Sequence, residues 1–297
     1  MKEIKIVCSF YRYVEIKNPL GLQVQLLDLC KRLRLKGRIL IGKEGVNGCV
    51  FGAKGNVGSF QQTLMQNSLF SGIEFKEQAA EKAAYRKIFV RIRDEIVNSG
   101  LNVNLRNKAR YISPRELKEM FDRNDEFALV DVRNCYETKI GKFKGAVMLD
   151  IKNFRDFPDA IYKIEQLKNK KIVTYCTGGI RCEKASAFLR ENGFQDVYQL
   201  KGGILKYGEE FPDTYWEGKC FVFDDRLAID INKKNIEPLN ECVWCNKKYN
   251  DYINCHNLDC DKLFICCEDC KELHNKSCSE ECSNSPKRRK EIIILEQ

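Results

Sequence analysis

No apolar run in the 297 residues approaches the roughly 18 needed to cross a bilayer as a helix; Ile292 to Leu295, among the longest, is only a few residues long. A helical membrane span is excluded and a soluble protein expected. The N-terminus, Met1-Lys2-Glu3-Ile4-Lys5-Ile6, lacks both the apolar stretch and the small-residue cleavage site of a secretory signal. A cytoplasmic location follows as the expectation. Internal repeats are missing, as is any low-complexity tract beyond the basic run Lys287-Arg288-Arg289-Lys290. Disorder is excluded as well, because 43% of the residues are hydrophobic. That length and composition suit roughly two compact domains of about 100 to 200 residues each.

What is present in excess is positive charge and cysteine. Lys and Arg number 51 against 42 Asp and Glu, a net charge of +9 that favours a polyanionic partner. Sixteen cysteines in a chain without an export signal should stay reduced, so metal binding or catalysis is the favoured use. Their distribution is uneven. Six (Cys8, Cys30, Cys49, Cys135, Cys176 and Cys182) lie in the first 219 residues, and ten fall between Cys220 and Cys282.

Three blocks follow. Residues 1–105 read as strand, helix, strand, strand, helix, strand: Glu3 to Val14, the helical spacing of Leu22, Leu26, Leu29, Cys30 and Leu33, the runs Arg38–Ile41 and Val46–Phe51 about a Gly-rich turn, Val57–Leu69, and Lys87–Ile92. This is the α+β ferredoxin-like (acylphosphatase-like) order, a common RNA-facing platform but equally a common fold for unrelated functions. Lys43, Arg86, Lys87, Arg91 and Arg93 are its candidates for RNA phosphates, and Phe10, Tyr11 and Tyr13 for base stacking.

Residues 113–219 alternate strand and helix, which predicts a parallel α/β sheet with its active site at the carboxyl ends of the strands. Ser113-Pro114-Arg115-Glu116 predicts a capped helix start, and Phe127–Val132, Lys171–Tyr175 and Asp196–Leu200 read as strands. Directly after one strand comes Cys176-Thr177-Gly178-Gly179-Ile180-Arg181, and then a helix from about Arg181 to Asn192. A thiol under Gly-rich backbone, at a helix N-terminus and beside an Arg, is held as thiolate. Residues 220–297 form a small Cys-rich module. Cys242, Cys245, Cys255, Cys260, Cys267, Cys270, Cys278 and Cys282 supply enough thiols for two tetrahedral sites, expected to hold structural zinc, with an iron–sulfur cluster as the alternative. Sequence order groups the first four and the last four, a cross-braced pairing is equally open, and Cys266, His256 and His274 are spare ligands.

The Cys-x4-Arg loop resembles that of rhodanese domains, sulfurtransferases that carry a cysteine persulfide. Asp131-Val132-Arg133 with Glu137, Gly141-Lys142-Phe143-Lys144-Gly145-Ala146 and Leu200-Lys201-Gly202-Gly203-Ile204 stand where rhodanese signatures recur, with Lys142-Phe143 in place of the usual His-Ile. Cys phosphatases use a loop one residue longer, so that activity is disfavoured. Glu44-Gly45-Val46-Asn47-Gly48, the long loop through Cys182-Glu183-Lys184-Ala185, and the tail knuckles with Leu263-Phe264-Ile265 together resemble the TrhO (YceA-type) tRNA uridine(34) hydroxylase family across nearly the whole chain.

That resemblance implies oxygen-dependent conversion of the wobble uridine of tRNA to 5-hydroxyuridine. Cys176 would act as thiolate or persulfide, with molecular oxygen as co-substrate and tRNA as partner. Arg181 would steady an anion or clamp the loop. Asp131 and Arg133 are read as an ion pair supporting it, together with Gly178 and Gly179, and Cys182 as a resolving thiol or a packing residue. A persulfide sulfurtransferase acting on tRNA or a protein is the competing enzyme, and a non-catalytic adaptor the third class. Neither the electron donor nor the oligomeric state is legible, and no haem, flavin or iron facial-triad signature is present.

Overall fold

The computed structural model describes residues 3–234 and 236–289. The N-terminal unit runs β1 (Lys5–Tyr13), α1 (Pro19–Arg32), β2 (Lys36–Gly42), β3 (Gly45–Ala53), α2 (Lys54–Gln66), β4 (Glu74–Ala79) and β5 (Ile88–Ile92), in a sheet of order β4-β1-β3-β2-β5. Leu22, Leu26, Leu29 and Cys30 of α1, with Val57, Phe60 and Leu64 of α2, cover one face of this sheet. The other face is turned toward the central domain.

Two expectations are corrected here. The fourth strand of the ferredoxin-like order is Glu74–Ala79, antiparallel to β1, whereas Lys87–Ile92 contains a fifth strand, added parallel to β2 at the opposite edge. Glu74-Phe75-Lys76-Glu77-Gln78-Ala79 escapes a hydrophobic-alternation reading because Phe75 is its one large apolar residue and the residue buried on the face toward the central domain is a lysine. Phe10 is not free to stack on a base: it is buried between Phe60 and Phe75, with ring centroids 5.5 and 5.7 Å away.

The central domain runs β6 (Arg110–Ile112), α3 (Pro114–Asp122), β7 (Ala128–Asp131), α4 (Cys135–Ile140), β8 (Gly141–Phe143), β9 (Val147–Met148), α5 (Phe157–Ala160), β10 (Lys171–Tyr175), α6 (Ile180–Glu191), β11 (Asp196–Leu200) and α7 (Gly203–Glu210). Its sheet, β6-β11-β10-β7-β9, is parallel throughout. Ser113 starts α3 with the expected capping box, its hydroxyl accepting from the Glu116 N–H while Glu116 reaches back to the Ser113 N–H. Side chains on both faces of β10 are buried, so the strand feeding the Cys176 loop is held rigidly from either side.

The chain then passes through β12 (Trp216–Phe221), which pairs with β8 and with β13 (Ala228–Asp230), into a module built on the hairpin β14 (Tyr252–Asn254) and β15 (Leu263–Ile265) with the short helices α8 (Glu268–Leu273) and α9 (Glu280–Ser283). This module is seated on α4. Asn250 Nδ2 donates to the Ile140 carbonyl at 3.1 Å, Tyr252 Oη to the Tyr136 carbonyl at 3.0 Å, and Ile140, Phe221, Tyr252 and Ile265 share one apolar cluster. No helix among the described residues is long and apolar enough to cross a membrane.

Candidate active site and cysteine quartets

Cys176 sits at the carboxyl end of β10 and is wholly buried from bulk solvent. Its Sγ accepts from the Gly179 N–H at 3.1 Å. Burial by itself raises a thiol pKa. Here it is outweighed by a hydrogen bond from the Cys182 thiol, the charge of Arg181 and the N–H groups of Arg181 and Gly179, which bring Cys176 down to about 6. Cys182 moves the other way: burial and the neighbouring thiolate push it well above 9.0, so it stays a donor.

The loop depends on glycine at particular points. Gly179 has φ +99°, and a Cβ there would lie 3.1 Å from Tyr11 Oη. At Gly203, with φ +64°, a Cβ would stand 2.4 Å from the Cys176 carbonyl oxygen, which instead accepts from the Ile204 N–H at 3.0 Å. Gly178 lines the cavity above Cys176.

Arg181 is held by a bidentate pair with Glu137, Nη1 to Oε2 at 2.5 Å and Nη2 to Oε1 at 2.7 Å, with both side chains buried. Its clamp is therefore to α4, and its charge still reaches Cys176. Asp131 and Arg133 form a fully buried fork, Nη2 to Oδ2 at 2.7 Å, and Arg133 also donates to the Gly141 carbonyl at 2.7 Å. Neither touches the cavity. They brace β7 against β8 beneath the loop.

The cavity at Cys176 measures about 400 Å³ and lies between the open face of the N-terminal sheet, the Cys176 loop and the segment Val222–Arg226. The N-terminal unit is locked over it by an ion-pair bridge: Lys184 of α6, almost wholly buried, binds Glu44 at 2.9 Å and Glu95 at 2.8 Å. Tyr11 Oη donates to Glu183 at 3.1 Å, and Asn47 Nδ2 donates to the Ile96 carbonyl at 2.8 Å. Glu44-Gly45-Val46-Asn47-Gly48 and Cys182-Glu183-Lys184, distant in sequence, are thus two sides of one joint.

Sequence reasoning passed over Lys76, Tyr85, Phe223 and Arg226, which line this cavity with Tyr11 and Asn47. One signal for Arg226 was available. Asp224-Asp225-Arg226 closes the same local fork as Asp131-Val132-Arg133, with Nη2 to Oδ2 at 2.6 Å. The five basic residues expected to meet RNA lie elsewhere: Arg86 pairs with Asp225 at 3.6 Å, Arg91 lies over Phe89, Arg93 donates to the Ile92 carbonyl, and Lys43 and Lys87 are exposed.

The tail brings all eight expected thiols into two quartets, Cys242, Cys245, Cys267, Cys270 and Cys255, Cys260, Cys278, Cys282. The grouping by sequence order is replaced by the cross-braced one, because the β14–β15 hairpin sets the second knuckle beside the first. Within each quartet the Sγ atoms lie within 4.8 Å of one another, with Cys245–Cys267 at 3.6 Å and Cys260–Cys278 at 3.7 Å. A tetrahedral zinc with Zn–S of about 2.3 Å separates its sulfurs by about 3.8 Å, so the thiols present fit such an ion. Cys266, His256 and His274 lie outside both quartets, and His274 stacks on Trp244 at 3.6 Å. Arg288 of the basic run donates to the Cys282 and Ser283 carbonyls at the end of α9, Lys287 pairs with Asp259, and Lys290 lies outside the described residues.

Family models match in the same order: a UPF0176 acylphosphatase like domain over residues 5–96, a rhodanese-like domain over 113–210 and a rhodanase C-terminal region over 217–283. A tRNA uridine(34) hydroxylase of Cytophaga hutchinsonii is 43% identical over 97% of this chain and 93% of its own length. Proteins of the same name from Shouchella clausii (40% identical, 95% of this chain, 89% of theirs) and Chlamydia felis (38%, 97% and 90%) are similar over comparable spans. The chain belongs to the tRNA uridine(34) hydroxylase family. The ion-pair joint and the cross-braced quartets therefore occur in a member of that family, with the acylphosphatase-like unit as the roof over the rhodanese cysteine.

Proposed function

We propose that this protein hydroxylates carbon 5 of uridine 34 in tRNA, in an oxygen-dependent reaction with Cys176 as its nucleophile. The observation that carries the reading is a roofed cysteine, its thiol pKa drawn below the ordinary value by Cys182, Arg181 and two backbone N–H groups, in a chain whose relatives, over nearly its whole length, are named for that activity. Carbon 5 of uracil is a weak nucleophile. Addition of the Cys176 thiolate to carbon 6 gives an enolate whose carbon 5 can take up an electrophilic oxygen; loss of the carbon 5 proton and expulsion of the thiolate restore the ring. Overall, uridine, molecular oxygen, two electrons from an external donor and two protons give 5-hydroxyuridine and water. The chain's own part is to hold Cys176 ionised through Gly179, Arg181 and Cys182, to fix Arg181 through Glu137, and to shield the adduct from water beneath the N-terminal sheet.

The two quartets are proposed to hold structural zinc, which would supply folding energy to a module with little apolar core of its own. A cytoplasmic site of action is proposed as well, since tRNA is the proposed substrate. The test is mass spectrometry of tRNA nucleosides from cells lacking the protein, complemented with wild type or Cys176→Ala. The reading expects 5-hydroxyuridine-derived nucleosides to vanish and to return only with wild type. Unchanged hydroxylation with loss of a thiolated nucleoside would instead make it a persulfide sulfurtransferase.

A further inference from the structure

A second cavity, of about 230 Å³, shares a wall with the first: Tyr11 and Lys76 line both. Four cations face into it, Arg12, Lys76, Lys108 and Lys201, against two carboxylates, Glu74 and Glu183. Two of the cations are already matched. Lys108 binds Glu183 at 2.7 Å and Lys201 binds Glu74 at 2.9 Å, while Tyr11 and Tyr111 both donate to Glu183. That leaves Arg12 and Lys76, which make no side-chain hydrogen bond or ion pair among the described residues, with the buried Nε of Arg12 lacking any acceptor. Lys76 is 8% exposed; its ammonium lies over the face of the Tyr11 ring, 5.1 Å away, within the field of Glu74, Glu183 and the Cys176 thiolate but in hydrogen-bond contact with none of the described residues.

Burying a cation with no carboxylate in direct contact is costly, even with negative charge nearby. Desolvation accordingly lowers the Lys76 pKa, though Glu74 and the Cys176 thiolate oppose it. An incoming anion removes the penalty. The neighbouring cavity contains the nucleophile with aromatic and amide side chains around it, as suits a planar base. A base pocket beside an anion pocket, with a shared wall, has the layout of one nucleotide in a single strand.

We propose that the smaller cavity is a phosphate subsite in which Arg12 and Lys76 bind a backbone phosphodiester flanking the uridine that enters the Cys176 cavity; this rests on the RNA-modification reading above. It also explains why the lysine at position 76 points inward from an edge strand, where an apolar residue would pack. The N-terminal unit then contributes to recognition through the roof of the cavity and not through its outer basic edge.

The test measures the affinity of the full-length protein for an anticodon stem-loop RNA containing uridine 34 as a function of potassium chloride, for wild type, Arg12→Gln and Lys76→Met. Each variant should bind about tenfold more weakly, with the salt slope reduced by about 1. A stem-loop carrying neutral methylphosphonates on either side of nucleotide 34 should bind wild type as weakly as the variants bind normal RNA; this arm needs no variant to fold. Equal affinity of wild type for the two RNAs overturns the proposal. Inorganic phosphate is the second probe. If it raises the Tm of wild type and not of the variants while the RNA slopes are unchanged, the cavity takes a free anion and the RNA assignment is overturned. Loss of both RNA effects in a protein that still hydroxylates tRNA sinks the subsite alone, whereas both effects in a wild type that makes no hydroxylated nucleoside leave the subsite standing and sink the reaction.

Discussion

The ionisation of Cys176 makes a prediction that can be followed in two independent ways. Its thiol titrates at about 6 in the folded protein, against the ordinary 9.0, because Cys182, Arg181 and two backbone N–H groups together outweigh complete burial. Between pH 6 and 9 the unfolded chain holds a proton on Cys176 that the folded chain does not. Stability from this group therefore rises with pH across that window, is fully present above 9, and is lost as pH falls through about 6. At about 1.4 kcal/mol per tenfold change in proton affinity, the window carries on the order of a few kcal/mol. Cys182, pushed upward, adds no titration inside it. The first assay is the pH dependence of iodoacetamide alkylation, read on the peptide containing Cys176, with an expected midpoint near 6. Cys182→Ala should move that midpoint up by removing the donor, and Cys182→Ser, which keeps a hydroxyl donor, by less. The second is urea unfolding of wild type and Cys176→Ala at several pH values, whose difference should grow from pH 6 to 9. A wild-type alkylation midpoint near 9, or a stability difference that does not change with pH, would refute the reasoning.

Other consequences are as direct. Glu137→Gln leaves the buried Arg181 guanidinium without its counter-charge and should cost about 3 kcal/mol in urea unfolding, with loss of tRNA hydroxylation. Gly179→Ala forces a side chain into φ +99° and against Tyr11 Oη, so about 1–3 kcal/mol of destabilisation is expected, together with a large fall in turnover because the roof must shift. On the zinc proposal, metal analysis of the purified protein should find two zinc ions per chain, one for each quartet that could hold a metal. Cys245→Ser combined with Cys267→Ser should remove one and spare the other, whereas loss of both would mean the pairing by sequence order. Chelation should also lower hydroxylation, since the module braces α4, which carries the Arg181 clamp.

What the sequence made legible is what is local. The capping box at Ser113, the Gly-rich loop after Tyr175, the Asp-x-Arg fork and the Cys-x2-Cys knuckles each bring their partners within a few residues, and each is found where the pattern places it. Long-range pairing is another matter. The choice between sequential and cross-braced quartets is made by the register of the β14–β15 hairpin, Tyr252 opposite Ile265, and no spacing of cysteines contains that register. The fourth strand is hidden because Phe75 alone is large and apolar while Lys76, buried on the face toward the central domain, is charged, and hydrophobic alternation cannot see a strand that buries a cation. That failure is informative. A local rule is broken where something other than packing sets the residue, and Lys76 stands on the wall shared by the two cavities, within the field of Cys176. Arg91 of β5 and its exposed neighbours Arg86 and Arg93 obey the ordinary pattern of a solvated edge, and for the same reason they carry less information about the ligand than the one lysine that does not.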